Sequence, residues 1–287
     1  MWKKPWLLYA LITTLFWGAW GALIELPEKA GFPATLGYVV WSLTMIPCAL
    51  IALSLINWKL DHGWKAVFYG SLIGLTGAGG QLALFHALVC GPAYLVFPII
   101  SLAPVVTILF SVLFLKERTS VRHWIGIGLA LTAILLMSIQ KADGSSTSGS
   151  LWLFLALLVF LAWGIQAFFM KKANTFMKAE SIFFYMMLTG LILAPIAYLM
   201  TDMSQPIYWG FRGPYLAGII HTLNAIGALM LVYAIRYGKV IIVSPLTNAV
   251  APMITVLLSL IIYMVIPGPI ILTGMVIAMI SVYLLAD

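Results

Sequence analysis

Few side chains in this sequence could do chemistry, because most of the chain is apolar. Ten long apolar stretches contain no Asp, Glu, Lys or Arg, so His86 and His221 are, apart from cysteines, the groups there that titrate near neutral pH. An ionisable side chain in such a stretch points to a functional site. His221 is followed one helical turn later by Asn224, which places both on one helix face. We expect this pair to contact a substrate, with an interhelical hydrogen bond as the alternative.

Three residues are candidates for coupling a proton or cation to a substrate: His221, His86 and Glu25. His86 lies about one turn from the end of its stretch, so contact with interfacial water is the alternative for it. Glu25 directly follows the first stretch, where it could recruit a cation at an entrance. Its alternative is an ordinary solvated loop charge.

Amides, hydroxyls and deep aromatic rings supply the other candidates for a binding site. In lipid each polar side chain needs a partner, so it either joins helices or lines a cavity. Asn248 and Ser101 each lie between two prolines, which predicts a symmetric pair at the site. Gln166 follows Trp163 by three residues and shares its face, combining a hydrogen-bonding group with a stacking surface. The remaining predicted substrate contacts are Trp17, Tyr38, Gln81 and Tyr94.

The stretches that position these side chains have the composition of membrane helices. The chain is 63% hydrophobic and 8% charged, whereas soluble proteins carry roughly a quarter charged residues. A hydrocarbon core of about 30 Å needs about 20 apolar residues per helix. Ten stretches meet this length or approach it: 6–24, 34–56, 66–89, 93–115, 124–139, 151–170, 181–200, 214–235, 240–264 and 269–286. The predicted fold class is therefore all-α, an integral membrane protein with ten transmembrane helices.

Basic residues in the loops predict the orientation. If the N-terminus is cytoplasmic, all of the 15 Lys and Arg residues except Lys29, Lys141 and Arg212 fall on the cytoplasmic side. Positive loops face the cytoplasm, so both termini are predicted to be cytoplasmic in a bacterial inner membrane. The net charge of +7 is then a signal of topology near anionic lipid, and it predicts no nucleic-acid partner.

An internal repeat runs through the chain with an offset of 146 to 148 residues. Trp17-Gly18 returns as Trp163-Gly164, and Ala103 with its following proline returns as Ala251. The polar segment 141–150 is predicted to be a linker between five-helix repeats at 1–140 and 151–287. Because five is odd, the second repeat enters the membrane in the opposite sense, which predicts inverted repeats.

The segment from Phe114 to Arg118, Phe-Leu-Lys-Glu-Arg, is followed by a Trp-Ile-Gly-Ile-Gly run from Trp124 to Gly128. Together with the Trp-Gly pair in each half, this resembles the drug/metabolite transporter superfamily, in its ten-helix branch of paired EamA domains, over essentially the whole chain. The second half departs from the pattern, with Tyr-Met-Val-Ile-Pro-Gly-Pro at 263–269 where an acidic turn could stand. The resemblance implies a central cavity between the halves that opens alternately to either side.

The predicted function is a secondary transporter for a small polar solute that is neutral or zwitterionic, of the sugar, nucleoside, nucleobase or amino acid class, with proton coupling through His221 as an option. A cavity without fixed charge does not repay the desolvation of a strongly ionic substrate. The alternative is import or export of organic cations or drugs in an aromatic-lined cavity.

An integral-membrane enzyme is less favoured, because the acidic residues are scattered over separate loops and the histidines have no metal-ligand spacing. No P-loop motif is present. We predict no catalytic residues, no metal and no cofactor. The expected partners are the solute and membrane lipid. One chain contains both halves, so it is expected to function as a monomer, with a dimer as the alternative.

Overall fold

The structure is a computed structural model that describes residues 4–90, 96, 99–100, 102–138, 151–263 and 268–285. Within these ranges the chain folds into helices joined by loops, with no strand. The helices are α1 Pro5–Leu23, α2 Glu25–Lys29, α3 Ala34–Leu55, α4 Trp64–Cys90, α5 Ala103–Phe110, α6 Val121–Ser138, α7 Leu151–Ala173, α8 Ala179–Leu199, α9 Leu216–Tyr237, α10 Val240–Tyr263 and α11 Pro269–Leu285. A π-helical segment, Ser111–Leu115, extends α5, and a second one, Phe211–Tyr215, precedes α9.

The described helices confirm the prediction of a ten-helix membrane protein. Six are long and apolar enough to cross a membrane, and four further apolar helices are shorter. Large apolar side chains such as Ile51, Ile192 and Leu199 are exposed on the outside of the bundle, as expected when lipid is the solvent. Each predicted stretch overlaps one of these ten helices. The short helix α2, which follows α1 after a single residue, was not predicted.

The two halves of the chain interleave. The first helix of the first half, α1, packs against α9 and α10 of the second half. Correspondingly, α7 packs against α4 and α5. Two further pairs join equivalent helices, α3 with α8 and α6 with α11, and two more, α4 with α8 and α3 with α9, again correspond by the repeat. This exchange of partners is the packing expected of inverted repeats related by an axis in the membrane plane.

The repeat is visible in individual hydrogen bonds. The Thr107 hydroxyl donates to the main-chain oxygen of Gly164 at 3.0 Å, and its counterpart Thr255 donates to Gly18 at 3.1 Å. A Cβ added at Gly18 would lie 2.5 Å from Ile254 Cβ, and one at Gly164 would overlap Val106 Cβ. Only glycine allows these helices to approach so closely. The Trp-Gly repeat in the sequence therefore marks two equivalent helix crossings.

Candidate substrate site

His221 lies in the first turns of α9, and its side chain is buried, with a relative exposure of 6%. The Trp20 indole N–H, from α1, donates a hydrogen bond of 3.1 Å to His221 Nδ1. The other ring nitrogen, Nε2, faces Gly37 on α3, where an added Cβ would lie 3.4 Å from it. Three helices from both halves of the chain thus position the imidazole.

Asn224 follows on the same face of α9 and is also held by tryptophans. The Trp41 indole N–H donates to Asn224 Oδ1 at 2.8 Å. The Trp17 indole N–H donates to the Asn224 main-chain oxygen at 3.3 Å, and Trp17 lies directly over Gly227. The structure therefore brings together three predicted site residues: His221, Asn224 and Trp17.

A recess leads to His221 from the end of the bundle where α2 lies. Its volume is about 10 Å³, which is room for about one water molecule. Glu28 is exposed at this recess whereas His221 is buried, so the recess runs from a carboxylate to an imidazole. The lining residues are Ile24, Pro27, Glu28, Phe32, Pro33, Ala34, Gly37, Phe85, Ala217 and His221. Apart from these two side chains the lining is apolar.

A second group of predicted site residues lies between α7 and α4. The Trp163 indole N–H donates to the Gly77 main-chain oxygen at 3.3 Å, which is the repeat equivalent of the Trp17 to Asn224 bond. Gln166 packs directly on Gly77, and Trp163 packs on Gly80. Gln81 follows Gly80 in α4 and is partly buried.

Tyr38 and Asn248 are each bonded to a main-chain oxygen. Tyr38 is 1% exposed, and its hydroxyl donates to the Ala78 oxygen at 3.1 Å. Its ring centroid lies 5.1 Å from that of Trp41, so it supports the residue that holds Asn224. Asn248 Nδ2 donates to the Ser244 oxygen of its own helix at 2.9 Å.

The remaining coupling candidates lie on the surface. His86 is exposed. Glu25 forms an ion pair of 2.6 Å with Lys29, four residues later in the chain, and both side chains are 60% exposed. Ser101 and Tyr94 lie outside the described residues. Among the residues that the structure describes, no three His, Cys, Asp or Glu side chains are grouped so that they could hold a metal ion.

Sequence reasoning missed the hydrogen-bonding roles of Trp20 and Trp41. A signal for Trp20 was present, because it lies three residues after Trp17 and is the repeat counterpart of Gln166. Trp41 gave no comparable signal, since an aromatic residue in a membrane helix is equally suited to face lipid.

At the end of the bundle opposite the recess, side chains bond to the ends of helices. Lys116 has a left-handed backbone with φ of 53°, which ends the π-helical segment and turns Glu117 toward α10. The Glu117 carboxylate accepts hydrogen bonds from the main-chain N–H groups of Val240 at 3.3 Å and Ile241 at 3.1 Å. The Ser111 hydroxyl also donates to Glu117, at 2.6 Å. A carboxylate at a helix N-terminus stabilises that end of the helix.

At the C-terminal end of α9, basic and amide side chains form hydrogen bonds with main-chain groups. The Lys171 ammonium donates to the main-chain oxygens of Ile235 and Gly238. Arg236 donates to the Met177 oxygen at 2.8 Å, and Asn174 Nδ2 donates to the Val232 oxygen at 3.2 Å. These contacts join the end of α9 to α7 and to the loop before α8.

Comparison with known proteins agrees with this architecture. The model of the EamA-like transporter family matches residues 4–139 and again 150–286. An uncharacterized transporter from the cobO 3′ region of a Sinorhizobium species is 28% identical over 143 residues, which are 48% of this chain and 99% of the relative. A probable 4-amino-4-deoxy-L-arabinose-phosphoundecaprenol flippase subunit ArnE of Hamiltonella defensa is 28% identical over 81 residues, 28% of this chain and 73% of the relative.

A crystal structure of a protein superposes with a TM-score of 0.81 at 17% sequence identity, covering 99% of this chain and 96% of the other. This likeness concerns the fold alone. The two family matches cover nearly the whole chain, one in each half. The chain therefore belongs to the EamA-like transporter family of the drug/metabolite transporter superfamily.

Proposed function

We propose that this transporter moves a small polar solute, neutral or zwitterionic, across the cytoplasmic membrane by alternating access. The observation that carries the proposal is the recess that ends at His221, next to Asn224, while at the opposite end of the bundle side chains bond to the ends of α9 and α10. A site that is reached from one side corresponds to one of the two states that alternating access requires. Sugars, nucleosides, nucleobases and amino acids are the solutes of this kind.

Proton coupling through His221 is part of the proposal and has a specific structural requirement. A protonated histidine donates from both ring nitrogens. Because Trp20 already donates to Nδ1, protonation of that nitrogen requires Trp20 to move away. Glu28 is the charged group that lines the same recess. A proton would therefore change the contact between α1 and α9, which are helices of opposite halves.

Organic cations are a second candidate substrate class. The exposed Glu28 carboxylate at the recess, with Phe32 and Phe85 in the lining, supports this class, because acidic and aromatic groups both attract cations. It is the weaker candidate, since the buried end of the recess presents an imidazole and no acid.

The test is solute counterflow with purified protein in proteoliposomes, using a panel of sugars, nucleosides, nucleobases, amino acids and organic cations. We expect exchange of one neutral or zwitterionic class, lost in His221→Ala and retained in His86→Ala, where the histidine is exposed. Exchange of organic cations alone would replace the proposal by the second candidate. Exchange that survives in His221→Ala would move the site away from the recess.

A further inference from the structure

We propose that His221 and Asn224 form a binding site that offers only hydrogen-bond donors, and that it binds an acceptor group of the solute, above all a carboxylate. The inference rests on the proposed function and adds the chemical group that the site recognises. Trp20 and Trp41 set this specificity as positioning residues. The site would therefore reject solutes that bring only donor groups to it.

The first step is the position of the proton on His221. An indole nitrogen donates and cannot accept. Since Trp20 donates to Nδ1 at 3.1 Å, Nδ1 must be the unprotonated nitrogen of the neutral ring. The proton then lies on Nε2, which is the nitrogen that faces Gly37.

The second step is the orientation of the Asn224 amide. Trp41 also donates through its indole nitrogen, at 2.8 Å from Asn224 Oδ1. Only the oxygen of the amide can accept this bond, so the nitrogen Nδ2 is on the other side of the group. The acceptor atoms, His221 Nδ1 and Asn224 Oδ1, are thus both bonded to tryptophans. The groups that remain for a ligand are N–H donors.

The third step is that these remaining donors are available. Within the described ranges, neither His221 Nε2 nor Asn224 Nδ2 has a protein hydrogen-bond partner, and the one fully buried polar side-chain atom without a partner is Asn174 Oδ1. Neither nitrogen is therefore fully buried, and an acceptor atom of the size of a water oxygen could reach the one that lines the recess. His221 itself lines the recess, and Asn224 lies one turn further on the same face.

A carboxylate suits such a site because it is an acceptor alone and can accept several hydrogen bonds. Bonds to an ionised acceptor are also stronger than those between neutral groups. An ammonium group would meet only donors there. The ammonium of a zwitterion would instead be attracted to the Glu28 carboxylate, which borders the same recess.

The experiment compares compounds that share a carbon skeleton and differ in one group: leucine, leucinol and isoamylamine, with the same series built on phenylalanine. Thermal stabilisation of the purified protein measures binding, because preferential binding to the folded state raises its stability. We expect the compounds with a carboxylate to bind about tenfold more tightly than the alcohols and amines.

The matched variant is Asn224→Asp, which keeps the oxygen that Trp41 needs and replaces the donor nitrogen by an acceptor. We expect it to lose carboxylate binding by about tenfold or more and to gain binding of the amines. Asn57→Asp, in the loop between α3 and α4, is the control and is expected to behave as wild type. The melting temperature without ligand shows that each variant is folded.

Amines that bind wild type as well as the acids do, or acid binding that is unchanged in Asn224→Asp, would overturn the inference. The proposed function fails separately, if compounds bind but none is exchanged in counterflow. Exchange restricted to solutes that carry only donor groups, such as simple alkylammonium ions, would leave the transport function standing and refute the donor-only site.

Discussion

At the scale of single residues, three tryptophans hold two polar residues of α9, His221 and Asn224. Trp17 bonds to the main chain of Asn224, Trp41 to its side chain and Trp20 to His221. Each indole has one donor and a rigid ring, so it can hold an acceptor in a fixed place and cannot adapt to a donor. Tryptophan rings are largely apolar and are therefore readily accommodated in a membrane, and here they orient the few polar side chains.

Trp41→Phe tests this role. The substitution keeps an aromatic ring and removes the 2.8 Å bond to Asn224 Oδ1, so the amide becomes free to rotate. Loss of one hydrogen bond of about 1 kcal/mol predicts solute binding about fivefold weaker than in wild type. The measurement is the apparent KM for counterflow. Trp64→Phe is the control, because Trp64 is 74% exposed. Equal KM values for both variants would contradict the prediction.

The sequence predicted part of this site. His221 and Asn224 share a face because they are three residues apart in a helix, and this required no tertiary information. Their partners could not be predicted in the same way, since Trp20 and His221 are 201 positions apart in the chain. Whether the predicted residues contact a solute stays a prediction.

At the scale of helices, the Trp-Gly pair of each repeat determines how closely two helices approach. Gly164→Ala would place a Cβ 2.7 Å from the Ala103 main-chain oxygen as well as against Val106. Overpacking of this kind costs about 1–3 kcal/mol, so we expect a lower melting temperature. Gly128→Ala is the matched control, because nothing lies within 4 Å of an added Cβ there. A melting temperature that falls equally in both variants would contradict the prediction.

The bonds of Glu117 at the N-terminus of α10 give a second prediction for helices. Glu117→Gln removes the negative charge at the N-terminus of α10 and weakens its bonds to the Val240 and Ile241 amides. Charge-assisted bonds are roughly twice as strong as neutral ones. We therefore expect faster hydrogen exchange at these two amides, by about fivefold.

Glu25→Gln is the control for this experiment, since Glu25 pairs with Lys29 on the exposed surface. Hydrogen–deuterium exchange of peptides that cover residues 238–244 makes the comparison. Unchanged exchange in Glu117→Gln would show that this carboxylate does not hold the end of α10 in place.

The helices themselves were largely predictable, and the reason is the distribution of charge. Lipid excludes charged side chains so strongly that uncharged stretches coincide with the helices. The π-helical segments at Ser111–Leu115 and Phe211–Tyr215 were not predicted, because they depend on local backbone packing and have no distinctive composition.

At the scale of the whole molecule, an even number of membrane-spanning helices predicts that both termini lie on one side of the membrane. We predict the cytoplasmic side, from the excess of basic residues there. A fluorescent protein fused to Asp287 should fluoresce in bacterial cells, whereas alkaline phosphatase fused at the same residue should be inactive. Active phosphatase at this position would reverse the predicted orientation.

Interleaving also has a consequence for how the protein is made. Trp17 bonds to Asn224, which is 207 residues later in the chain. At about 5–20 residues per second, α1 waits roughly 10–40 s in the membrane before its partner helix is synthesised. During that time Thr13 and Thr14 can bond to the Tyr9 and Leu11 oxygens of their own helix. Because these main-chain oxygens belong to the same helix, both hydroxyls are hydrogen-bonded in lipid before the second half of the chain has been synthesised.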